Sequence, residues 1–443
     1  LLAAVRPSVR QLAWQAMEFY GFIHFGMNTM TDREWGEGHE DPASFDPEGL
    51  DVDQWITALK AAGMTGVILT CKHHDGFCLW PSDVTTYTVA SSPWRGGRGD
   101  VVAEVAEAAR RHGLRFGIYL SPWDRTEASY GSGTAYDDFY VAQLTELLTR
   151  YGPVFSVWLD GANGEGRGGK RQVYDWERYY AAVRRLQPDA VISVCGPDVR
   201  WCGNEAGQTR PDEWSVVPQA LQDAERTADR SQQADDGGFA RLVRSDERDL
   251  GSRAVLAGHE HDLVWYPAEV NTSIRPGWFH HPAQDAAVRS VDELFAIYLR
   301  AVGGNCCLLL NVPPARDGRM RDPDVAVLAQ LGRRIEDFWA RRLEATPTVS
   351  SGIMPSVTLA FTRPRPVAAV VVCEDIAQGQ RIEHVVVRGR RDGRWTTLAE
   401  ANAVGYQRIL TFPPAAVDAV QIEVTQARDT PVVARVAAIG AAA

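Results

Sequence analysis

The sequence contains no apolar run of the roughly 18 residues that a membrane-spanning helix needs, so no membrane partner is expected. It has no surplus of basic charge. Its 443 residues carry 46 Lys and Arg against 57 Asp and Glu, a formal net charge of −11. Phosphate backbones call for a basic surface, and no nucleic-acid partner is expected. There is no Cys-x-x-Cys pair, and the seven cysteines cannot all pair internally. Cys71, Cys78, Cys195, Cys306 and Cys307 sit in apolar runs, where a free thiol packs as a small hydrophobe. Neither a disulfide framework nor a cysteine-based zinc site is expected. Tandem repeats and low-complexity tracts are missing too. The sequence opens on Leu1 without a visible signal peptide, which reads as a trimmed start and leaves compartment and oligomeric state open. At 45% hydrophobic and 23% charged, the chain has the composition of a globular protein with a sizeable core.

From about residue 20 to 342, two textures alternate. Short runs rich in Val, Ile, Phe and Tyr read as buried strands, and longer stretches with a 3.6-residue apolar period read as helices. In one such unit Val52, Trp55, Ile56 and Leu59 share a helical face, Gly63 stops the helix, and 65–71 follows as a strand. In the next, Asp100 caps a helix that Gly113 closes, and 114–120 is its strand. Further strands are expected at 20–26, 154–159, 190–195, 263–266 and 306–312. Continuously apolar strands alternating with helices imply an α/β fold with a parallel sheet under helices. Polar residues follow many of the strands. That favours a (β/α)8-like TIM barrel, whose strand ends converge on one mouth, over an open sheet with a single switch point. Residues 205–258 break the rhythm and read as a long loop over that mouth.

Residues 344–350 read as a linker. Past it the runs are short and alternating, at 367–373, 382–388, 408–412, 420–424 and 432–438. Arg391-Asp392-Gly393-Arg394 is a hairpin-turn signal. The expected organisation is therefore a barrel over 1–343 and a C-terminal antiparallel β-sandwich over 350–443.

Chemistry-bearing residues gather at four strand ends: His24 in the first strand, Lys72-His73-His74-Asp75 after the second, Tyr119 to Asp124 at the third, and Asp160-Gly161 at the fourth. A carboxylate that ends an apolar run before a glycine, as Asp160 does, points into a barrel mouth or caps the next helix. The glycine-rich loop behind it fits GxxxxGK from Gly164 to Lys170. Arg171, however, stands where a phosphate loop needs Ser or Thr on magnesium. His73 and His74 are neighbours on an extended stretch and should point opposite ways, which suits hydroxyl recognition better than one shared metal ion. His259-Glu260-His261 has a metal-like spacing but precedes a strand, which would put it at the barrel bottom. No metal and no cofactor are expected. Fourteen tryptophans, with Trp35, Trp80, Trp123, Trp201, Trp214 and Trp278 at strand ends or loops, point to a sugar. Glycoside cleavage needs two carboxyl groups across the scissile bond. With Asp160 as one, Glu205 and Glu269 are nearly tied for the second, and Glu34 and Glu165 remain candidates.

The runs IHFGMNT, REW, CKHHDGFCLW, GIYLSPWD and VWLDGANG together resemble family 29 of the glycoside hydrolases, the retaining α-L-fucosidases. The resemblance covers essentially the whole chain. The stretch from Cys195 to Gly207 is similar to the subfamily that cleaves α-1,3 and α-1,4 linkages in Lewis-type glycans, which usually requires a branching galactose. By this resemblance Asp160 matches the nucleophile and Glu205 the general acid/base. His24, Glu34, Trp35, His73, His74, Tyr119 and Arg200 match fucose-binding positions, and Trp278 matches more loosely. The other subfamily takes its acid/base from elsewhere in sequence, which keeps Glu269 as the fallback. The expected partner is a fucosylated oligosaccharide. Glu213 and Trp214 are candidates for the galactose, and Arg200 for holding Asp160 ionised. The competing functions are a broad-specificity α-L-fucosidase that also cleaves α-1,2 linkages, and an inactive fucose-binding protein.

Overall fold

The computed structural model describes residues 1–231, 248–350 and 352–442. Eight parallel strands form the core: β1 (Phe19–Ile23), β2 (Gly66–Lys72), β3 (Arg115–Leu120), β4 (Ser156–Leu159), β5 (Val191–Val194), β6 (Arg200–Trp201), β9 (Ala268–Ser273) and β10 (Cys307–Asn311). They lie in the order β5-β4-β3-β2-β1-β10-β9-β6. A single parallel bridge from Ser193 to Val199 brings β5 to β6, so the ring is nearly closed. Strands β1, β2, β4, β5, β9 and β10 are buried at every residue, as expected of strands walled by helices outside and side chains inside. All seven cysteines are buried free thiols.

The helices start and stop where the sequence signals them. Asp51 accepts the Gln54 N–H at the head of Val52–Ala61, and Asp100 accepts the Ala103 N–H at the head of Val101–His112. Gly113, at φ +76°, closes the second of these. Thr134–Arg150, Trp176–Leu186, Val291–Ala301 and Asp322–Ala340 complete the cover. The pattern fails between β5 and β6, where residues 195–199 turn with no helix. The run expected as a barrel strand at 263–266 is not one. Its residues Leu263–Trp265 form β8, which pairs antiparallel with β7 (Val216–Pro218) in a separate ribbon. The missed barrel strands, β6 and β9, carry Arg200, Glu269 and Asn271, polar residues that hide them from an apolar-run criterion. Residues 232–247 of the expected mouth loop lie outside the described residues. Among the described residues, no helix is long and apolar enough to cross a membrane.

The C-terminal part is one six-stranded antiparallel sheet. The stretch expected as a linker contributes its edge strand, β11 (Pro347–Val349). The runs 408–412 and 420–424 belong to one strand, β15 (Arg408–Ala427), which pairs with the equally long β12 (Ser356–Glu374). Register shifts between Ala360 and Arg365 and between Val367 and Ala369 bend the pair. One end of it carries β13 (Ile382–Arg391) and β14 (Arg394–Ala401), and the other end carries β16 (Val433–Gly440). The bent sheet closes over its own core of Val357, Val370, Val387, Ile422 and Ala438. Its outer side, through Val371, Ile409 and Ile439, joins the apolar cluster of the barrel.

Candidate active site

The strand ends of the first half of the barrel meet in one pocket. His24 follows β1 directly, His73 and His74 follow β2, Tyr119 lies near the end of β3, and Asp160 follows β4. Asp160 is the most exposed of these, at 20% of its side chain. Its Oδ2 accepts the Tyr119 hydroxyl at 2.7 Å, and its Oδ1 accepts the Ala162 N–H at 2.8 Å. The His74 Nε2 stands 3.7 Å from Oδ2. The Tyr119 hydroxyl and the Ala162 N–H, rather than an arginine, donate to the carboxylate. Burial pushes the Tyr119 hydroxyl well above its ordinary pKa, and the Asp160 charge adds to this, so the tyrosine stays a donor.

The three histidines are neutral at physiological pH. Burial pulls His24 down to about 3 and His74 down to about 4, and it drives His73 well below its ordinary value. A hydrogen bond with Asn311 resists the fall at His24, and the Asp160 charge resists it at His74. The rings of His73 and His74 do not diverge as an extended chain would have them. Their centroids are 4.0 Å apart, and His73 stacks on Tyr119 at 5.5 Å. One ligand atom from each of His73, His74 and Asp160 falls within a 4.8 Å group.

The far wall is Trp278, whose ring lies 5.1 Å from His24. Its loop is pinned from three sides. Arg275, fully buried, makes a two-armed contact with Asp324 at 2.8 and 2.9 Å, and the Asn311 amide donates to the Trp278 carbonyl at 2.7 Å. Glu34 accepts the Trp278 and Phe279 N–H groups at 2.6 and 3.0 Å. A Cβ at 277 would stand 2.3 Å from the Glu34 Oε1, so a side chain there would push on the carboxylate that holds this loop. Glu34 therefore lines the pocket while its carboxylate is spent on shaping the wall. Trp35, Glu205 and Asn271 complete the rim, with Asn271 held by the Trp201 indole at 3.0 Å.

A family model described as alpha-L-fucosidase matches residues 13–337. The chain belongs to the α-L-fucosidase family. It is 37% identical over 439 residues to alpha-L-fucosidase 1 of Arabidopsis thaliana, covering 92% of this chain and 81% of that protein. Its structure is similar to that of a glycoside hydrolase 29 family member from a rumen bacterium, with a TM-score of 0.85 at 35% identity, over 99% of this chain and 78% of the other. A Ruminococcus gnavus family 29 fucosidase, solved in complex with fucose, superposes with a TM-score of 0.82 at 27% identity over 99% and 95% of the two chains. The protein is a glycoside hydrolase of the α-L-fucosidase family 29.

Several residues expected at the fucosidase site lie elsewhere. Arg200 is buried, and its Nε donates to the Tyr266 carbonyl and its Nη2 to the Trp214 carbonyl and to Glu213 at 3.1 Å. Glu213, 1% exposed, takes Arg200 on one oxygen and Arg210 on the other. Burial raises its pKa and the two arginines lower it further, for a net fall. Trp214 packs with Val217, Leu250 and Tyr266 under the Arg428 guanidinium, 4.5 Å from its ring. None of the three lines the pocket, because the charges and ring that suggested sugar contacts complete one another in the loop's own core. Glu269 sits within β9, not past it, so its carboxyl points into the barrel below the mouth. There it accepts the Trp158 indole at 2.7 Å and the Tyr20 hydroxyl. Burial pushes its pKa up to about 7 against those two hydrogen bonds.

Other sequence signals resolve into architecture. The Gly164–Lys170 loop closes on itself through Gly166 N–H to the Lys170 carbonyl, and Gly164 abuts the Trp123 indole. Glu165 is exposed there and offers its carbonyl to that indole. His261 is exposed and His259 lies in the same turn before β8. Trp80 and Trp123 are buried packing residues. Trp158 and Asn271 line the pocket although neither was singled out from the sequence. Trp158 was legible as the residue two before Asp160, on the same face of an apolar strand.

Proposed function

We propose that this α-L-fucosidase is a retaining exo-enzyme that releases α-1,3- and α-1,4-linked L-fucose from Lewis-type oligosaccharides by double displacement. Asp160 is the nucleophile and Glu205 the acid/base. The observation that carries this reading is that Asp160 and Glu205 both line the pocket, while the third carboxylate there, Glu34, is tied to two backbone N–H groups. Asp160 attacks the anomeric carbon as Glu205 protonates the departing sugar oxygen, giving a fucosyl-enzyme. Glu205 then takes a proton from water, which opens the intermediate with net retention. That sequence requires the two carboxyl groups roughly 5–5.5 Å apart around bound sugar. The Tyr119 hydroxyl and the Ala162 N–H orient the Asp160 carboxylate in the pocket. His24, His73 and His74 bind sugar hydroxyls, and Trp35 and Trp278 supply apolar walls. In this reading residues 1–343 are the catalytic unit and 350–443 a supporting sheet.

The linkage preference rests on the likeness of 195–207 to the α-1,3/1,4-cleaving subfamily. The branching galactose needs contacts other than Glu213 and Trp214. Release of fucose from a Lewis trisaccharide and from 2'-fucosyllactose, measured side by side, tests the assignment. Release mainly from the Lewis compound supports it. Equal release, or preference for 2'-fucosyllactose, replaces it with a broad-specificity enzyme, and no release from either replaces it with a fucose-binding protein.

A further inference from the structure

We propose that the three pocket histidines present a fixed hydrogen-bond polarity to the sugar, acceptor at His24, donor at His73 and acceptor at His74, imposed by the residues behind them. The proposal rests on the fucose-binding reading for its ligand but not for the polarity itself, which follows from groups whose own roles are fixed.

At His24 the anchor is Asn311. Its amide nitrogen faces the Trp278 carbonyl at 2.7 Å, an acceptor only, and its oxygen faces the His24 backbone N–H at 3.2 Å, a donor only. The amide therefore cannot be turned around. The same oxygen lies 2.8 Å from the His24 Nδ1, so Nδ1 carries the hydrogen and Nε2 is a lone pair. At His73 the anchor is Asn28. Its amide nitrogen donates to the Glu34 carbonyl at 2.8 Å and lies 3.3 Å from the His73 Nδ1. Nδ1 is the acceptor, and in a neutral ring the hydrogen is then on Nε2. At His74 the anchor is Ser121. Its single hydroxyl hydrogen goes to the Trp123 carbonyl at 2.7 Å, so its oxygen accepts from the His74 Nδ1 at 2.7 Å. Nε2 of His74 is again a lone pair, and it faces the Asp160 Oδ2 at 3.7 Å.

Two acceptors facing each other across 3.7 Å call for a hydrogen between them. A sugar hydroxyl that donates there satisfies both, and an analogue that cannot donate leaves the buried His74 nitrogen unmatched. The polarity also decides between ligands for the His73, His74 and Asp160 group. A metal needs lone pairs from all three, and the His73 nitrogen left by Asn28 carries a hydrogen. The pocket is therefore built for a neutral polyol with hydroxyls oriented donor, acceptor, donor.

Nitrogen-15 long-range correlation spectra of the protein labelled at histidine, at pH 7, read the tautomers directly, with His24→Gln, His73→Gln and His74→Gln for assignment. The expected result is hydrogen on Nδ1 of His24 and His74 and on Nε2 of His73. The opposite tautomer or an imidazolium at any of the three overturns the proposal, whatever the enzyme cleaves. Competitive inhibition by L-fucose, its singly deoxygenated forms and its singly fluorinated forms is the second arm. Fluorine accepts weakly and never donates. At hydroxyls over His24 and His74, both replacements weaken binding by about tenfold or more. At the hydroxyl over His73, fluorine recovers part of what deoxygenation loses, and His73→Gln removes that recovery. Recovery at no position, or at two, overturns the polarity. If L-fucose itself does not inhibit, the fucose reading fails and the spectra alone decide the polarity.

Discussion

The two halves of the barrel build one mouth by different means. In β1 to β4 each strand hands its penultimate residue, or one of the first two past its end, straight to the pocket: His24, His73, His74, Tyr119 and Asp160. Between β5 and β9 the regular unit is lost. No helix separates β5 from β6, β6 is two residues long, and a long loop with its own ribbon leads to β9. There the residues that reach the pocket, Glu205, Asn271 and Trp278, come from different depths of loop and strand, and each is held by contacts distant in sequence. Where a strand end carries the chemistry, a change strikes the reaction. Where a loop carries it, many changes strike the loop first.

The largest effect is expected in the regular half. Asp160→Asn keeps the size of the side chain and removes the proposed nucleophile. Fucose release should fall by roughly 10³-fold or more with unfolding unchanged. Near-full activity would move the nucleophile out of the first half and dissolve the contrast. Glu205→Gln tests the other half. Release from an oligosaccharide should fall by about 10²–10⁴-fold, while α-L-fucosyl fluoride, whose leaving group needs no proton, should lose far less. Equal losses on both substrates would mean that Glu205 holds its loop rather than moving a proton.

Legibility from sequence follows the same division. The barrel was readable because its strands are continuous apolar runs and its helices carry caps such as Asp51 and Asp100. The first-half pocket lining was readable because position at a strand end fixes direction. The second half was not, because β6 and β9 are polar strands, and a strand placed a few residues wrong moves Glu269 from the barrel interior to the mouth. Glu213 and Trp214 misled for another reason. A buried ion pair and a buried ring use the same residue types as a sugar site, and sequence carries no sign of which partner is met. Asn28, Ser121 and Asn311 stayed silent because their work is to orient other residues.

Glu213→Gln sharpens that point. The substitution leaves the buried Arg200 and Arg210 facing a neutral amide, so the folded state should lose about 3–5 kcal/mol in denaturant unfolding. The fraction that remains folded should cleave a Lewis trisaccharide with a near-normal KM. A raised KM with stability intact would return Glu213 to a sugar subsite.

Glu269→Gln is the smallest and the most diagnostic change, because it separates the interior of the barrel from its mouth. The Glu269 carboxyl is pushed up to about 7 from an ordinary 4.5, so between those values the folded state holds a proton that the unfolded chain has released. Its contribution is fully favourable below pH 4.5, and it declines as pH rises to about 7, by up to about 3 kcal/mol. Glutamine does not titrate. The difference in unfolding free energy between wild type and variant should therefore slope with pH across that window and be flat above it, whatever constant offset the amide introduces. Other buried carboxyls, Glu374 among them, cancel in the difference. Activity should fall only modestly, through Trp158, whose indole the carboxyl holds and whose ring stacks on Tyr119 at 5.5 Å. A loss of 10²-fold or more, confined to leaving groups that need a proton, would instead make Glu269 the acid/base and place the mouth of the second half one strand deeper than β9 allows.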